Sequence, residues 1–425
     1  MFINFGGYHP ITSMNMPDKN FYFNPLPAPV YIMPKPVGAM CNIDCKYCYY
    51  LEKEVLYGKG KHNVMGIDLL EKFTMEYIGA QPTPHVLFTW HGGEALLRGI
   101  GFYQKALEFQ RRYSSGHQID NSLQTNGLLL NDEWCRFFRQ NNFLIGISID
   151  GPEHCHDKYR TDQRGNGTFA RTMKGIELLK KHGVEFNVLA VVNDYNAQYP
   201  LEVYHFFKSI GARYIQFSPV VERQAQRGDG LSLLSAGDTQ DVQVTPWSVQ
   251  PLAFGKFMAT IFDEWVRHDV GQTFVTMFDA TLAGYMDVDP GQCIWARTCG
   301  HAGAMEFNGD VYACDHYVFP EYKLGNINRH SLASMMFSQK QLAFGADKYN
   351  KLPKQCKECQ FVKQCHGECP KNRFARTKDG EPGLNYLCTG FKHYFHHVKP
   401  YMEFMANELR QQRPPANVMP WARKR

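Results

Sequence analysis

Thirteen cysteines stand in a chain of 425 residues, and eleven of them fall into groups whose spacing could do chemistry. The first group is the run Met40-Cys41-Asn42-Ile43-Asp44-Cys45-Lys46-Tyr47-Cys48-Tyr49. Three thiolates on one short loop can wrap a cubane iron–sulfur cluster, and three ligands for four irons leave one iron open to a small molecule. Zinc would want a fourth ligand close by, for which His62 is the near candidate. The second group is Cys293, Cys299 and Cys314, then Cys356, Cys359, Cys365 and Cys369, then Cys388. Eight thiols suit two fully ligated clusters or two zinc ribbons, and the pair Cys356-x2-Cys359 alone fits either metal. Disulfides would need an oxidising compartment, and Met1 to Asn20 has no basic start followed by an apolar stretch that would direct export. Of the two remaining cysteines, Cys135 lies beside Trp134 and Phe137 in a helical pattern and reads as a buried hydrophobe. Cys155 falls in a loop and receives no role.

Short apolar runs alternate with helical patterns through the first half. Strands are expected at Val30–Met33, His85–Trp90, Gln118–Leu123, Leu144–Ile149, Glu185–Val192 and Tyr214–Ser218. Helices are expected at about Ile67–Ile78, Gly101–Tyr113, Asp132–Gln140, Phe169–Lys181 and Leu201–Ile210. Strands separated by helices imply parallel pairing with right-handed crossovers. Pattern alone does not separate an open doubly wound sheet from a partial barrel; the motifs at the strand ends decide for the barrel. Gln224 to Gln250, rich in Gly, Ser, Gln and Asp, reads as a long loop. Pro251 to Val270 reads as an amphipathic helix, the segment after Gly291 as a second, turn-rich domain, and about Gly390 to Gln412 as an aromatic-rich final helix.

Composition narrows the class. With 44% hydrophobic and 20% charged residues the chain is globular, and no run approaches the roughly 18 apolar residues of a membrane span. A formal charge of +5 makes no case for nucleic acid, and Arg423, Lys424 and Arg425 read as a solvated tail.

Motifs recur at successive strand ends. Gly92-Gly93-Glu94 follows the second strand, Gln124-Thr125-Asn126-Gly127 the third, and Ser148-Ile149-Asp150-Gly151-Pro152 the fourth, with Arg160 ten residues after Asp150. Loops at the C-terminal ends of barrel strands are where this architecture carries chemistry. Together with Cys41-x3-Cys45-x2-Cys48 and the aromatic Tyr47 before its last cysteine, these motifs resemble the radical S-adenosylmethionine (SAM) superfamily. The second set, ordered Cys299-x9-Gly309-x4-Cys314, Cys-x2-Cys-x5-Cys-x3-Cys and Cys388, resembles the SPASM extension. The fold implied is a partial (β/α)6 TIM-like barrel, followed by a cysteine-rich SPASM domain and a C-terminal helix. The boundaries are an N-terminal extension at 1–28, the barrel at 29–265, a linker at 266–290, the SPASM domain at 291–395, and a helix with a basic tail at 396–425.

From about Val30 to Tyr394 the resemblance sharpens. Ser122-Leu123-Gln124-Thr125-Asn126-Gly127, Gly309-Asp310-Val311-Tyr312-Ala313-Cys314-Asp315 and Leu324-Gly325-Asn326-Ile327 are similar to the anaerobic sulfatase-maturating enzymes. That family turns a cysteine or serine of a sulfatase into Cα-formylglycine without oxygen. The resemblance implies three 4Fe–4S clusters and S-adenosyl-L-methionine as cofactors. The open-iron cluster would use Cys41, Cys45 and Cys48. The first auxiliary cluster would use Cys293, Cys299, Cys314 and Cys369, and the second Cys356, Cys359, Cys365 and Cys388. Tyr47, Gly93, Ser148, Arg160 and Val221 match cofactor-contacting positions, and Asp315 matches the family's proton acceptor. His91 stands where glutamine is common and Ala95 where proline is common; both bear on the substrate cavity. The implied partners are a sulfatase polypeptide and a flavodoxin- or ferredoxin-type electron donor, with no nucleic acid or membrane, in the cytoplasm. Two alternatives stay open: another SPASM peptide maturase forming a thioether or carbon–carbon crosslink, and a non-catalytic zinc or iron–sulfur scaffold.

Overall fold

The computed structural model describes residues 28–50, 53–57, 63–227, 230–233 and 243–425. His62 and, apart from Ala28, the expected N-terminal extension lie outside the described residues.

Five apolar runs form a parallel series: β2 (His85–Trp90), β3 (Gln118–Thr125), β4 (Leu144–Ser148), β5 (Phe186–Val192) and β6 (Tyr214–Pro219). They pair in that order, and Phe274–Val275 (β7) adds a sixth strand beside β6. Alternate residues such as Val188, Ala190 and Val192 are buried, as a sheet covered by crossover helices requires. The helices fall where the periodicity placed them. Asp132–Gln140, for example, is started by Asn131, whose side chain accepts from Trp134 N at 2.9 Å, and has Asp132 and Glu133 in its first turn.

Three departures from expectation matter. The first expected strand, here β1 (Tyr31–Pro34), is not hydrogen-bonded into the six-stranded sheet. It borders β2, with His91 N donating to Pro34 O at 3.2 Å, but pairs in parallel with Ala302–Met305 of the cysteine-rich half, Tyr31 opposite Ala302. That strand continues through Asp310–Tyr312 and Lys323–Asn326 in a four-stranded sheet. The strand leading into the first cysteine loop is thus shared between the two halves. Second, the stretch 224–250 is not all loop. Arg223–Arg227 pairs antiparallel with Gly230–Leu233 and with Gln243–Val244. Third, the expected linker carries β7 and the helix Thr276–Tyr285.

The final helix, Cys388–Arg410, packs along Pro251–His268. A Cβ on Gly390 would lie 1.9 Å from Pro251 O, and one on Gly255 would lie 2.3 Å from Gly390 O, so the two backbones touch where neither residue has a side chain. Aromatic pairs such as Phe254–Phe391 and Phe262–Tyr394 fill the seam, which makes the aromatic density of this helix a matter of core packing.

Candidate active site

The loop after β1 is built from its backbone outward. Lys35 N donates to Met305 O at 2.8 Å, which holds the loop's start on the shared sheet. Asp44–Cys45 pairs antiparallel with Arg160–Thr161, and Cys48 N donates to Cys45 O at 2.9 Å. Cys41, Cys45 and Cys48 are brought onto one short loop segment. Burial pushes the Cys41 thiol up to about 12 and Cys45 higher still. A bare thiolate is therefore disfavoured, and the cage suits a metal that replaces the protons.

Gly93 lies against this loop. Its N donates to Gly38 O and Glu94 N donates to Met40 O, both at 2.8 Å, and a Cβ on Gly93 would sit 2.0 Å from Met40 O. The fully buried Glu94 carboxylate accepts from Leu96 N at 3.0 Å, Thr125 Oγ1 at 2.8 Å and Asn126 N at 2.9 Å. Glu94 thereby ties the end of β2 to the end of β3. Asn126 in turn reaches Asn42 Oδ1 at 2.7 Å and Cys41 Sγ at 3.9 Å.

Asp150 organises the other side. Its carboxylate accepts from Tyr47 OH and from Val191 N (2.9 Å) and pairs with Arg160 Nε at 3.1 Å. Arg160 Nη1 lies 3.9 Å from Cys45 Sγ, so this guanidinium stands between Asp150 and a thiol of the loop. Ser148 Oγ accepts from Gln124 Nε2 at 2.9 Å. Val221 packs in the main core, whereas its neighbour Val220 joins Ile43, Cys45 and Tyr47.

Asp315 follows Cys314 in a short turn and faces the first loop. Tyr49 OH donates to Asp315 Oδ2, and Lys35 Nζ lies 2.5 Å from Asp315 Oδ1. Lys35 is fully buried, stands over the Tyr50 ring at 4.6 Å, and meets His91 Nδ1 at 3.1 Å. Burial alone would raise the Asp315 carboxyl, but the charge of Lys35 above all outweighs it and holds the group well below the usual carboxylate range. Burial, then Lys35, lowers His91 to about 3, and burial, then Lys371, lowers His316 to about 4, so both rings are neutral. Nδ1 of His91 also accepts from Gly92 N at 2.8 Å, which leaves its proton on Nε2. Sequence reasoning singled out Asp315 and His91 and missed Lys35 and Tyr49; the only signal for Lys35 was a lysine between two prolines at a strand end.

The eight remaining grouped cysteines separate into two sets. Cys314 lies close enough to Cys293 and Cys369 to feel their charge, and Cys299 feels Cys293. Cys356, Cys359, Cys365 and Cys388 line one cleft with Phe361, Phe391 and Phe395. Among the described residues, no three His, Cys, Asp or Glu side chains converge as the ligands of a single ion would. Two groups of four thiols, with burial pushing Cys299 and Cys356 to about 11 and Cys365 to about 12, are a donor set that suits iron–sulfur clusters. Cys135 is buried, as expected; Cys155, expected in a loop, is buried in the short helix Glu153–His156.

Comparison with known proteins gives this geometry a family. Residues 36–207 match the radical SAM superfamily, and residues 299–360 match an iron–sulfur cluster-binding domain. A serine-type anaerobic sulfatase-maturating enzyme of Bacteroides thetaiotaomicron is 58% identical over 397 residues, covering 93% of this chain and 96% of the relative. The chain belongs to the anaerobic sulfatase-maturating enzymes. Iron–sulfur clusters and S-adenosylmethionine are accordingly the cofactors of this maturase. A cysteine-type relative from Clostridium perfringens is 29% identical and is matched over its whole length, with 90% of this chain covered. The solved structure of native anSMEcpe with bound AdoMet superposes with a TM-score of 0.78 at 29% identity, covering 89% of this chain and all of that one. The same neighbour has been solved with bound AdoMet and a Cp18Cys peptide.

Proposed function

We propose that this maturase oxidises a serine of a sulfatase polypeptide to Cα-formylglycine, with Asp315 as proton acceptor. The observation that carries the reading is the junction of Tyr49, Asp315 and Lys35, which puts a carboxylate from the second cysteine set against the loop of the first. The serine preference rests on the 58% identical serine-type relative.

Cys41, Cys45 and Cys48 would hold one 4Fe–4S cluster. Cys293, Cys299, Cys314 and Cys369 would hold a second, and Cys356, Cys359, Cys365 and Cys388 a third, giving three in all. When bound, the cofactors supply an adenosyl radical that removes a hydrogen atom from the serine β-carbon and an acceptor for the one electron left over. The chain's own residues do the rest. Tyr47, Asp150 and Arg160 fix the first loop, Gly93 lets the Gly-Gly-Glu turn lie against it, and Ser148 and Val221 would border the cofactor. With a radical on the β-carbon, the neighbouring hydroxyl is far more acidic than an alcohol. A carboxylate kept ionised by Lys35 can take that proton as the electron departs. Tyr49 and Lys35 hold Asp315 in one orientation for this transfer.

The starting electron would come from a flavodoxin- or ferredoxin-type donor in the cytoplasm. No helix among the described residues is long and apolar enough to cross a membrane. The reading is tested by anaerobic co-expression with a serine-type sulfatase and mass analysis of the sulfatase's active-site peptide. Formylglycine only in the presence of the maturase is expected. An unmodified serine in cells whose maturase makes 5′-deoxyadenosine would redirect the reading to another peptide.

A further inference from the structure

Three residues separate Cys365 from Cys369, and all three are left-handed: His366 at φ 45°, Gly367 at φ 71° and Glu368 at φ 50°. Two of them carry side chains that disfavour this conformation, so something must hold the run in place. Arg373 does so. Its Nε donates to Gly367 O at 2.9 Å, and its Nη2 donates to His366 O at 2.7 Å and Glu368 O at 2.8 Å. Its Nη1 donates to Lys348 O. Lys348 is buried and caps a second cysteine-bearing turn, donating to the carbonyls of Cys293, Ile294 (2.9 Å) and Ala296 (2.5 Å).

Lys348 is thus buried beside the first of these cysteine sets, and the half-buried Arg373 lies between the two. Arg373 feels the charge of Cys369, then of Glu368, and then of Cys365 and Cys356 from the other set. Lys348 feels Cys293, Cys299 and Cys369. Among the described residues, no carboxylate oxygen lies within ion-pair distance of either. The near carboxylate, Glu368, is turned to Asn372 Nδ2 at 3.0 Å and Asn385 Nδ2 at 2.8 Å. Buried cations need a counter-charge. Beyond the charge of Glu368, the neighbouring thiolates, which carry net negative charge when ligated to a cluster, supply it.

We propose that Arg373 and Lys348 are the counter-charges of the two auxiliary clusters, with Arg373 shared between them, and that their charge raises the clusters' reduction potentials so that the substrate's electron is accepted there. An added electron makes a cluster more negative, and a fixed neighbouring cation stabilises that state. Both are positioning residues that act through the clusters. The inference rests on the reading of two auxiliary clusters, and iron content tests that reading separately. The parent should hold about twelve irons per chain; a markedly lower count would fail the reading itself.

The test compares reconstituted Arg373→Gln, which keeps donors and loses the charge, with Arg373→Lys, which keeps the charge. Iron and sulfide are counted, and midpoint potentials are read by anaerobic redox titration with electron paramagnetic resonance. Arg373→Gln with full iron is expected to titrate at more negative potential than the parent, and Arg373→Lys close to it. Unchanged potentials in a fully loaded Arg373→Gln would overturn the inference, as would an Arg373→Lys shifted equally far. If Arg373→Gln loses auxiliary iron, an Arg373→Lys with full iron and parental potentials upholds a role for the charge. Iron loss in both variants assigns the role to the guanidinium's shape and overturns it.

Discussion

One methyl group at Gly93 should disable the first cysteine loop while leaving the second set alone. In Gly93→Ala the new Cβ would fall 2.0 Å from Met40 O and 2.6 Å from Ala39 O, against a floor near 3.0 Å for real contacts. The obstacle is backbone, so the Gly-Gly-Glu turn must retreat by about 1 Å from the loop that carries Cys41. Retreat breaks the bonds from Gly93 N to Gly38 O and from Glu94 N to Met40 O, each 2.8 Å. Two such bonds are worth about 1–3 kcal/mol, and residual overpacking adds about 1–3 kcal/mol, so a loss of roughly 2–6 kcal/mol is expected. A displacement of about 1 Å beside a reacting centre costs on the order of 100-fold in rate. Gly101→Ala is the control: it lies in the helix Ile100–Tyr113 with nothing within 4 Å of its Cβ, and should be neutral or stabilising by about 0.5–1 kcal/mol. The assay is 5′-deoxyadenosine formation without substrate, with urea unfolding and iron content alongside. Parental cleavage by Gly93→Ala would refute the claim that this close approach sets the cofactor site.

Further expectations follow from the same geometry. Cys41→Ala, Cys45→Ala and Cys48→Ala together should abolish adenosylmethionine cleavage and remove about four irons per chain, the rest remaining, as counted by iron analysis. Asp315→Asn should keep cleavage and lower product formation by about 10²–10⁴-fold, measured as peptide product per deoxyadenosine; product at the normal rate would remove Asp315 from its role. Lys35→Met leaves the half-buried Asp315 without its cation and should cost up to about 3–5 kcal/mol in urea unfolding. Burial pushes the Glu306 carboxyl from 4.5 up to about 7, although Tyr50 OH donates to it. The folded chain then keeps a proton that the unfolded chain releases, so this stabilisation is complete below pH 4.5 and is lost as pH rises through 7. Glu306→Gln carries no such charge, and should be more stable than the parent by up to about 3 kcal/mol at pH 8 and similar at pH 4.5; equal unfolding midpoints at pH 8 would contradict this.

Local signals read well from the chain because they depend on neighbours in sequence. The helices Asp132–Gln140 and Phe169–Lys181 have the ends their periodicity predicts. What failed depended on partners brought from far along the chain. Tyr31–Pro34 has an ordinary strand pattern, and nothing within it says that its partner is Ala302–Met305 rather than a barrel strand. Arg223–Arg227 and its partners contain Gln, Gly and Ser where an apolar alternation would have marked strands. Spacing located the site's cysteines and resemblance supplied their division, since no spacing rule sends Cys369 to a different set from Cys365. Lys35 was invisible because lysine is ordinarily a surface residue, and only the fold shows it sealed against Asp315.

The central claim is tested most directly by incubating the reduced, reconstituted maturase with S-adenosylmethionine and a peptide carrying Ser-x-Pro-x-Arg, beside its Cys counterpart, and weighing both. The account predicts loss of about 2 Da from the serine peptide, matched by one 5′-deoxyadenosine per product and faster than the loss of about 18 Da from the cysteine peptide. Deoxyadenosine released with both peptides unchanged would contradict it.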